Sequence, residues 1–251
     1  MNLITLTPEN LEKEHICCAI SNNRDCQVSA KKAWLAARMA DGLVFTKGDV
    51  RGKCFIEYLP AENAWAPVRA DGWMYIDCLW VSGQFKGQGY SNLLLESCLA
   101  DSKAKGKKGL VILSSQKKQP FLADPGYLKH KGFAPADTAA PSYVLYALAF
   151  DEAAEKPCFR PQVKEPRAEG EGFVLYYAHQ WPYTAKYVPL IEQIAQSRNV
   201  PFRAVRFEAA EQAQAAPAPF TSYSLFWNGE FVTHEILSAP KFEKLLAEKG
   251  L

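Results

Sequence analysis

Hydrophobic and polar positions along the chain alternate in short segments, most of them typical of β-strands. Runs rich in β-branched and aromatic residues occupy 42–49, 50–60 and 72–83, with a Lys-Gly-Asp turn signal between the first two. This order predicts a hairpin followed by a further antiparallel strand. The continuous apolar run at 109–115 predicts a buried strand, and 142–150 predicts the last strand of this part.

Helical periodicity appears between these strand segments. Ser29 and Gly42 are the predicted N-cap and C-terminal stop of one helix. Further helices are predicted from Tyr90 onward and over 121–133, where Gly132 ends the pattern. An opening helix is predicted from four residues near the start of the chain: Asn10, Leu11, Ile16 and Ile20.

The last part of the chain shows the same kind of alternation over a shorter length. Strand-like runs at 173–178 and 202–207 flank a helical pattern, which predicts a βαβ unit. Asn228-Gly229 between two further strand runs is a strong hairpin signal, and 239–250 predicts a final helix. The predicted unit is therefore βαβ followed by ββα.

Residues 151–172 break the periodic pattern. Three prolines and two glycines stand there among dense charges, a composition expected to bury little surface and typical of a linker. The predicted organisation is a domain over 1–150, a linker over 151–172 and a domain over 173–251. The predicted fold class is α/β (α+β), with a mixed sheet flanked by helices in the first domain.

Composition excludes several classes of protein. The 251 residues carry 22% charged side chains and a net charge of +2, which favours a globular protein and gives no drive toward nucleic acid or an acidic membrane. Neither a long apolar run nor a basic leader is present, so no membrane span is predicted and a cytoplasmic location is expected. Seven cysteines without Cys-x-x-Cys spacing predict neither a disulfide framework nor a metal site.

A glycine-bearing loop joins the strand that ends near Val81 to the helix that begins at Tyr90. Gly87 and Gly89 let an anion approach the backbone N–H groups at the positive end of the helix dipole. Plain turn chemistry is an equally good interpretation of this spacing alone. The loop is not a dinucleotide fingerprint, because Asn92 stands at the third glycine position, and it lacks the Gly-Lys-Ser/Thr of a P-loop.

The loop resembles the pyrophosphate loop of the GCN5-related N-acetyltransferase (GNAT) superfamily, Gln/Arg-x-x-Gly-x-Gly/Ala, which Gln84, Gly87 and Gly89 match. The resemblance covers about residues 1–150 and includes Gly132-Phe133 at the end of the 121–133 helix. It implies acetyl-CoA as co-substrate, held in a splay between two parallel strands. The implied contacts are Leu79, Trp80 and Val81 for the pantetheine arm, and Gln84, Phe85, Lys86, Gly87, Gln88, Gly89 and Tyr90 for the pyrophosphate.

Acetyl transfer to an amine needs a base, and an acid for the leaving thiolate. By resemblance Asp77 is the first candidate base and Glu57 the second, although an ion pair or a solvated strand position explains either carboxylate equally well. Many family members place a tyrosine where this chain has Leu128, so Tyr127, one residue earlier, is the candidate acid, with solvent as the alternative.

The C-terminal segment resembles a thioredoxin-like fold, and specifically the YoaP-like domain fused to such acetyltransferases. Its first turn, 179–183, has no cysteine, so redox activity is not expected. Trp181 and Tyr183 in this turn, with Pro219 where the fold usually has a cis-proline, suit a groove for a peptide or small molecule or are ordinary packing residues. His179 is a minor acid/base candidate.

Two functions follow from these features. The first is an acetyl-CoA-dependent N-acetyltransferase that acts on a primary amine of a small molecule or peptide by direct attack, with the C-terminal domain helping to bind the acceptor. The alternative is a non-catalytic acyl-CoA sensor or interaction module. The predicted acceptor side has no carboxylate cluster suited to a polyamine or an aminoglycoside, and an exposed edge strand in either domain is a candidate homodimer interface.

Overall fold

A mixed seven-stranded sheet organises the first part of the computed structural model, which describes residues 2–16, 22 and 24–251. Numbered along the chain, its strands lie side by side in the order 1-2-3-5-6-8-7, and strands 5 and 6 form the one parallel pair among its described strands. The elements up to residue 150 are β1 (Leu3–Thr5), α1 (Cys26–Met39), β2 (Val44–Gly48), β3 (Cys54–Pro60), β4 (Val68–Arg69), β5 (Met74–Val81), α2 (Tyr90–Ala104), β6 (Gly109–Ser115), α3 (Pro125–His130), β7 (Ala134–Ala139) and β8 (Tyr143–Ala149).

The two faces of this sheet bury different hydrophobic clusters, because successive strand residues point to opposite sides. On one face Ile56 and Ile112 pack with Leu94 of α2 and Leu128 of α3. On the other face the strand residues, among them Phe55, pack with α1 and with residues of the C-terminal part. The fold class predicted from the sequence is therefore confirmed.

A second sheet forms in the C-terminal part. Its strand order is β11-β10-β12-β13, with β10 and β11 parallel and the other pairs antiparallel. Both predicted units, βαβ and ββα, are present, and α4 and α6 pack together on the sheet. The elements are β10 (Phe173–Tyr177), α4 (Thr184–Ser197), β11 (Phe202–Arg206), α5 (Ala210–Gln214), β12 (Tyr223–Trp227), β13 (Glu230–Thr233) and α6 (Ala239–Glu248).

Two local predictions near the N-terminus differ from the structure, and one strand after α3 was not predicted. The predicted opening helix is wrong over its described residues, which form turns at 8–13, while Ile20 lies outside the described residues. Helix α1 begins before Ser29, because the Asp25 carboxylate accepts a hydrogen bond from the N–H of Gln27 and caps the helix there. Strand β7 was not predicted, since its alanines and proline carry little β propensity.

The predicted linker is packed against the N-terminal part. β9 (Cys158–Phe159) pairs with β4 in a small antiparallel sheet. Phe159 is 3% exposed and Val163 is fully buried in the same cluster as α1. A few apolar side chains, Phe159 and Val163 among them, thus anchor a segment that is otherwise largely exposed, and its assignment as a linker between two domains stays a prediction.

The two parts also share a hydrophobic cluster. Phe207 and Phe220 of the C-terminal part belong to the cluster that contains Trp34 and Trp65. The Thr221 hydroxyl donates a hydrogen bond to the Trp65 carbonyl oxygen, and α1 packs against α4. Within the described residues, no helix is both long and apolar enough to cross a bilayer.

Replacing Phe159 with alanine tests whether this segment is structural. We expect Phe159→Ala to lower the free energy of unfolding by about 3–5 kcal/mol, because it leaves a cavity in the shared cluster. The exposed Lys156 provides the control, and Lys156→Ala should stay within about 0.5 kcal/mol of the parent. Chemical denaturation measures both, and a Phe159→Ala value as small as that of the control would show that the segment is a passive linker.

Candidate active site

Strands β5 and β6 separate in the middle of the large sheet. Their parallel pairing extends only from Met74 opposite Leu110 to Ile76 opposite Ile112. Past this point β5 continues to Val81 without a partner on that side, as the predicted splay requires. A β-bulge lies at the same place, since β3 pairs with Ile76 and Cys78 and leaves Asp77 as the extra residue. Bulges redirect side chains, and this one lies at the start of the splay.

Two carboxylates and one ammonium group meet beneath the bulge. Lys31 of α1 contacts Glu57 of β3 with 2.6 Å between Nζ and Oε2, and each side chain is only 1% exposed. The other Glu57 oxygen, Oε1, is buried without a hydrogen-bond partner in the described structure. Burying a carboxylate is costly unless it is paired, and Lys31 supplies the paired cation for Glu57 here.

Asp77 is electrostatically coupled to this ion pair. Burial raises the pKa of Asp77 well above its usual value, the Glu57 charge raises it further, and Lys31 and a hydrogen bond from Gln180 oppose the rise. The Gln180 amide oxygen accepts from the Ser222 hydroxyl at 2.9 Å, which leaves its NH₂ group to face Asp77. Solvent reaches part of the Asp77 residue, because one side of it faces a cavity.

The cavity has a volume of about 340 Å³ and lies between the two parts of the chain. Glu57 and Asp77 line one side of it, together with β5 residues that include the predicted pantetheine contacts Leu79 and Trp80. The opposite side consists of residues 180–183 and 219–222 of the C-terminal part. The structure therefore brings both predicted base candidates together, and it places Trp181, Tyr183 and Pro219 against the same cavity.

The glycine loop lies at the far end of β5. Gly87 and Gly89 have φ angles of +75° and +79°, a region that only glycine adopts freely, and Gly89 immediately precedes α2. An added Cβ at either position would point into open space. None of the backbone hydrogen bonds among the described residues uses the N–H groups of Gly87, Gln88 or Gly89. Three donors at the N-terminus of a 15-residue helix are thus free to bind an anion.

Tyr127 is separated from the carboxylates. Its hydroxyl donates to the Ser91 carbonyl oxygen at 3.1 Å, in the first turn of α2, and burial raises the pKa of Tyr127. Tyr127 is not among the residues that line the cavity. The structure does not bring it to Asp77, and its role as acid stays a prediction.

His179 and Pro219 also differ from their proposed roles. Both ring nitrogens of His179 have partners, since Nδ1 lies 3.1 Å from the Thr184 hydroxyl and Nε2 lies 3.1 Å from Arg206. Burial and the Arg206 charge lower the pKa of His179 and keep it neutral. The only cis peptide bond among the described residues precedes Pro141, so the bond before Pro219 is trans, unlike the usual thioredoxin position.

Three residues of the site were missed from the sequence: Lys31, Gln180 and Ser222. Lys31 had a detectable signal, because it lies three and four residues before Trp34 and Leu35 and so shares their buried helix face. Gln180 and Ser222 had none, because Gln180 contacts Asp77 across about a hundred residues of chain and Ser222 contacts Gln180, so only tertiary packing brings the three together.

Solved structures with some similarity are acetyltransferases. A GNAT family acetyltransferase from Brucella melitensis in complex with acetyl-CoA is 16% identical, with 62% of this chain and 91% of that chain covered and a TM-score of 0.39. The GNAT family N-acetyltransferase YhbS of Escherichia coli in complex with CoA is 15% identical, with 63% and 89% covered and a TM-score of 0.39.

Sequence comparison gives a much closer match. The family model described as YoaP-like matches residues 201–244. YoaP of Bacillus subtilis (strain 168), an uncharacterized N-acetyltransferase, is 43% identical over 247 residues, which cover 98% of this chain and 98% of that protein. Identity at this level over nearly the whole of both chains includes the N-terminal sheet, the packed segment and the C-terminal sheet together. The chain belongs to the family of YoaP-like N-acetyltransferases.

Proposed function

We propose that the protein transfers an acetyl group from acetyl-CoA to a primary amine in a ternary complex, with the C-terminal part forming one wall of the acceptor site. The observation that carries the proposal is the position of the Glu57 and Asp77 carboxylates. Both line a cavity where β5 leaves β6, and Asp77 lies on β5, the strand that leads to the glycine loop, while Glu57 lies on the neighbouring β3. A proton acceptor, a cleft and an anion-binding loop thus lie along one strand.

Acetyl-CoA has two binding elements available. The free N–H groups of Gly87, Gln88 and Gly89 suit the pyrophosphate, at the positive end of the α2 dipole. The pantetheine arm carries amide groups, and the β5 edge from Leu79 to Val81 has backbone groups with no β6 partner to pair with them. An arm bound along this edge directs its thioester end toward Asp77.

The chemistry then needs one proton acceptor. An amine enters as R–NH₃⁺ and gives one proton to the carboxylate pair, and its nitrogen lone pair attacks the thioester carbonyl carbon. A C–N bond forms, the C–S bond breaks with its electron pair on sulfur, and the second nitrogen proton neutralises the thiolate. The products are the amide and CoA–SH, and Asp77 keeps the proton until the next ammonium group enters, when it passes to solvent.

Asp77 is the stronger base of the pair. Glu57 already forms a 2.6 Å contact with Lys31, whereas among the described residues Asp77 has a hydrogen bond from Gln180 and an open side toward the cavity. A raised pKa makes the Asp77 carboxylate a better proton acceptor for an ammonium group than an ordinary aspartate. We assign Asp77 as the base and Glu57 as the neighbouring charge that raises its basicity.

The C-terminal part takes a supporting role in this mechanism. We propose 173–251 as a second domain of thioredoxin-like topology whose cysteine-free turn serves as a wall of the site rather than as a redox centre. Its turn residue Gln180 is a positioning residue for Asp77, and Ser222 fixes the orientation of the Gln180 amide.

The acetyl-CoA loop can be tested with two matched glycine substitutions. Gly87→Trp should abolish acetyl-CoA binding in isothermal titration, because the indole would fill the space that the pyrophosphate needs. Gly106→Trp is the control, since Gly106 also has a positive φ (+65°) and open space around it but lies at the other end of α2. Its affinity should equal that of the parent. Acetyl-CoA binding by Gly87→Trp at parental affinity would refute the assigned loop, and binding by the parent with no thiol release for any amine would favour the sensor.

Asp77→Asn should lower catalytic activity while it raises the stability of the fold at alkaline pH. Loss of a general base typically lowers kcat/KM by about 10²–10⁴-fold, which a thiol-release assay measures. The pKa of Asp77 is higher in the folded than in the unfolded state, so its contribution to stability is lost as pH rises through that interval. Asp77→Asn should therefore melt at a higher temperature than the parent at pH 8, and the difference should shrink toward pH 4.

The exposed Asp71 supplies the control for this substitution, and Asp71→Asn should change neither quantity. Full activity in Asp77→Asn would eliminate Asp77 as the base and leave Glu57 as the remaining candidate.

Gln180→Met tests the positioning role of the C-terminal part. Methionine has a similar length but cannot donate a hydrogen bond, so the pKa of Asp77 should rise further. The ascending limb of the kcat/KM profile against pH should shift to higher pH, with activity recovering at the alkaline end. Gln196→Met, on the exposed side of α4, should leave the profile in place. A uniform loss at every pH would indicate that Gln180 only supports the packing of the wall.

A further inference from the structure

Away from the carboxylates, the cavity wall is largely apolar and includes a group of aromatic side chains. Trp181 lies edge-to-face against Phe220 with 4.9 Å between ring centroids, and the Phe121 ring is tilted against Trp181 with 4.8 Å between centroids. Trp80 and Tyr183 also line the space. Such walls bind flat or bulky apolar groups, because aromatic rings supply a large contact area at fixed positions.

The charge of the cavity fits one cation. Its charged lining residues are Lys31, Glu57, Asp77 and Lys118, and Lys31 is paired with Glu57. Lys118 forms an exposed ion pair with Asp124 at 3.0 Å and offers no negative charge. Only Asp77 is left for an incoming ammonium group. A second ammonium on the same acceptor would lie against aromatic rings without a carboxylate, which is strongly unfavourable for a desolvated charge.

Phe121, which lines the cavity, has an exposed side chain and an unusual backbone conformation. Its residue surface is 42% exposed. Among the described residues, Leu251 is the one other large hydrophobic residue that is exposed to this degree. The Phe121 φ of +66° is a conformation that side chains other than glycine rarely adopt. The preceding Pro120 carbonyl lies 3.1 Å from His234 Nε2, so the C-terminal part fixes the position of this segment. An exposed, strained aromatic residue at a cavity is typical of a ligand contact.

The size of the cavity limits the acceptor further. About 340 Å³ is near the lower end of small-molecule sites, which span roughly 300–1,000 Å³. The acetyl end of the co-substrate must share that volume. A small amine fits the space, whereas a large polycation does not.

We propose that the acceptor is a small arylalkylamine, a primary monoamine whose ammonium group meets Asp77 while its aromatic ring packs against Trp181, Phe220 and Phe121. This inference rests on the acetyl transfer proposed above and specifies its acceptor. The bond changes are those already described, with the aryl group taking no part in them.

A thiol-release assay with four amines tests the acceptor class. We expect kcat/KM for 2-phenylethylamine to exceed that for ethylamine by about tenfold or more, because the phenyl group is buried against the wall. Spermidine and a lysine-containing hexapeptide should react more slowly than 2-phenylethylamine. A higher kcat/KM for spermidine or the peptide would overturn the acceptor class while acetyl transfer itself stands.

Substitution of a wall residue tests where the aromatic ring of the acceptor binds. Phe121→Gly relieves the positive φ and removes an exposed ring, so the fold should be retained while KM for 2-phenylethylamine rises about fivefold or more. The value of kcat/KM should fall much less for ethylamine, which has no ring to lose contact, than for 2-phenylethylamine. Leu251→Ala is the control, because Leu251 has the same 42% exposure and lies outside the cavity lining. A Phe121→Gly variant that treats 2-phenylethylamine as the parent does would remove Phe121 from the site.

Direct titration separates failure of the acceptor class from failure of the proposed function. If the parent binds no acetyl-CoA, the proposed transfer fails, and titration with 2-phenylethylamine alone decides this inference. Saturable binding that Trp181→Ala weakens would still support an aromatic-amine site. Absence of binding to the parent, both alone and with CoA, would overturn it.

Discussion

The buried ion pair between Lys31 and Glu57 is the interaction on which the rest of the site depends. Two buried carboxylates under one sheet face, without a cation, would both be strongly disfavoured as charged groups in a medium of low dielectric constant. Lys31 neutralises Glu57 at 2.6 Å and so permits a second carboxylate, Asp77, to lie beside it. Such a pair contributes little net stability, since desolvation offsets most of its attraction, and its presence is better explained by what it permits.

The helix that carries Lys31 also connects the two parts of the chain. Lys31 comes from α1, α1 packs against α4, and the turn before α4 carries Gln180 to Asp77. The C-terminal sheet therefore lies on the sheet face that carries the carboxylates, leaving α2 and α3 to cover the other face. This arrangement gives a physical reason for a turn without cysteine. A wall of Trp181 and Gln180 contributes packing and one hydrogen bond to the site, and neither requires redox chemistry.

Elements with strong local signals were predictable, and residues that acquire meaning from packing were not. Strand β6 and the start of α2 at Tyr90 agree with the sequence pattern, because a continuous apolar run and a helical repeat need no tertiary context. The burial of Phe159 and Val163 was not predictable from a charged, proline-rich composition, since two apolar residues decide it. Asp77 and Glu57 were identified by resemblance, but their proximity follows from a β-bulge that the sequence does not reveal.

Charge balance explains why two carboxylates serve better than one in the proposed mechanism. In this mechanism the Lys31–Glu57 ion pair together with a neutral Asp77 leaves the empty site without net charge. When an ammonium group enters, Asp77 releases its proton to solvent, and the four groups again sum to zero. Proton transfer from the ammonium to Asp77 keeps that sum, because it leaves a neutral amine beside a neutral acid. No step places a net charge in the buried cavity, so the large desolvation penalty for an unpaired charge is avoided throughout. A single carboxylate paired permanently with Lys31 could not do this, since its proton affinity would be too low to accept a proton from an ammonium group.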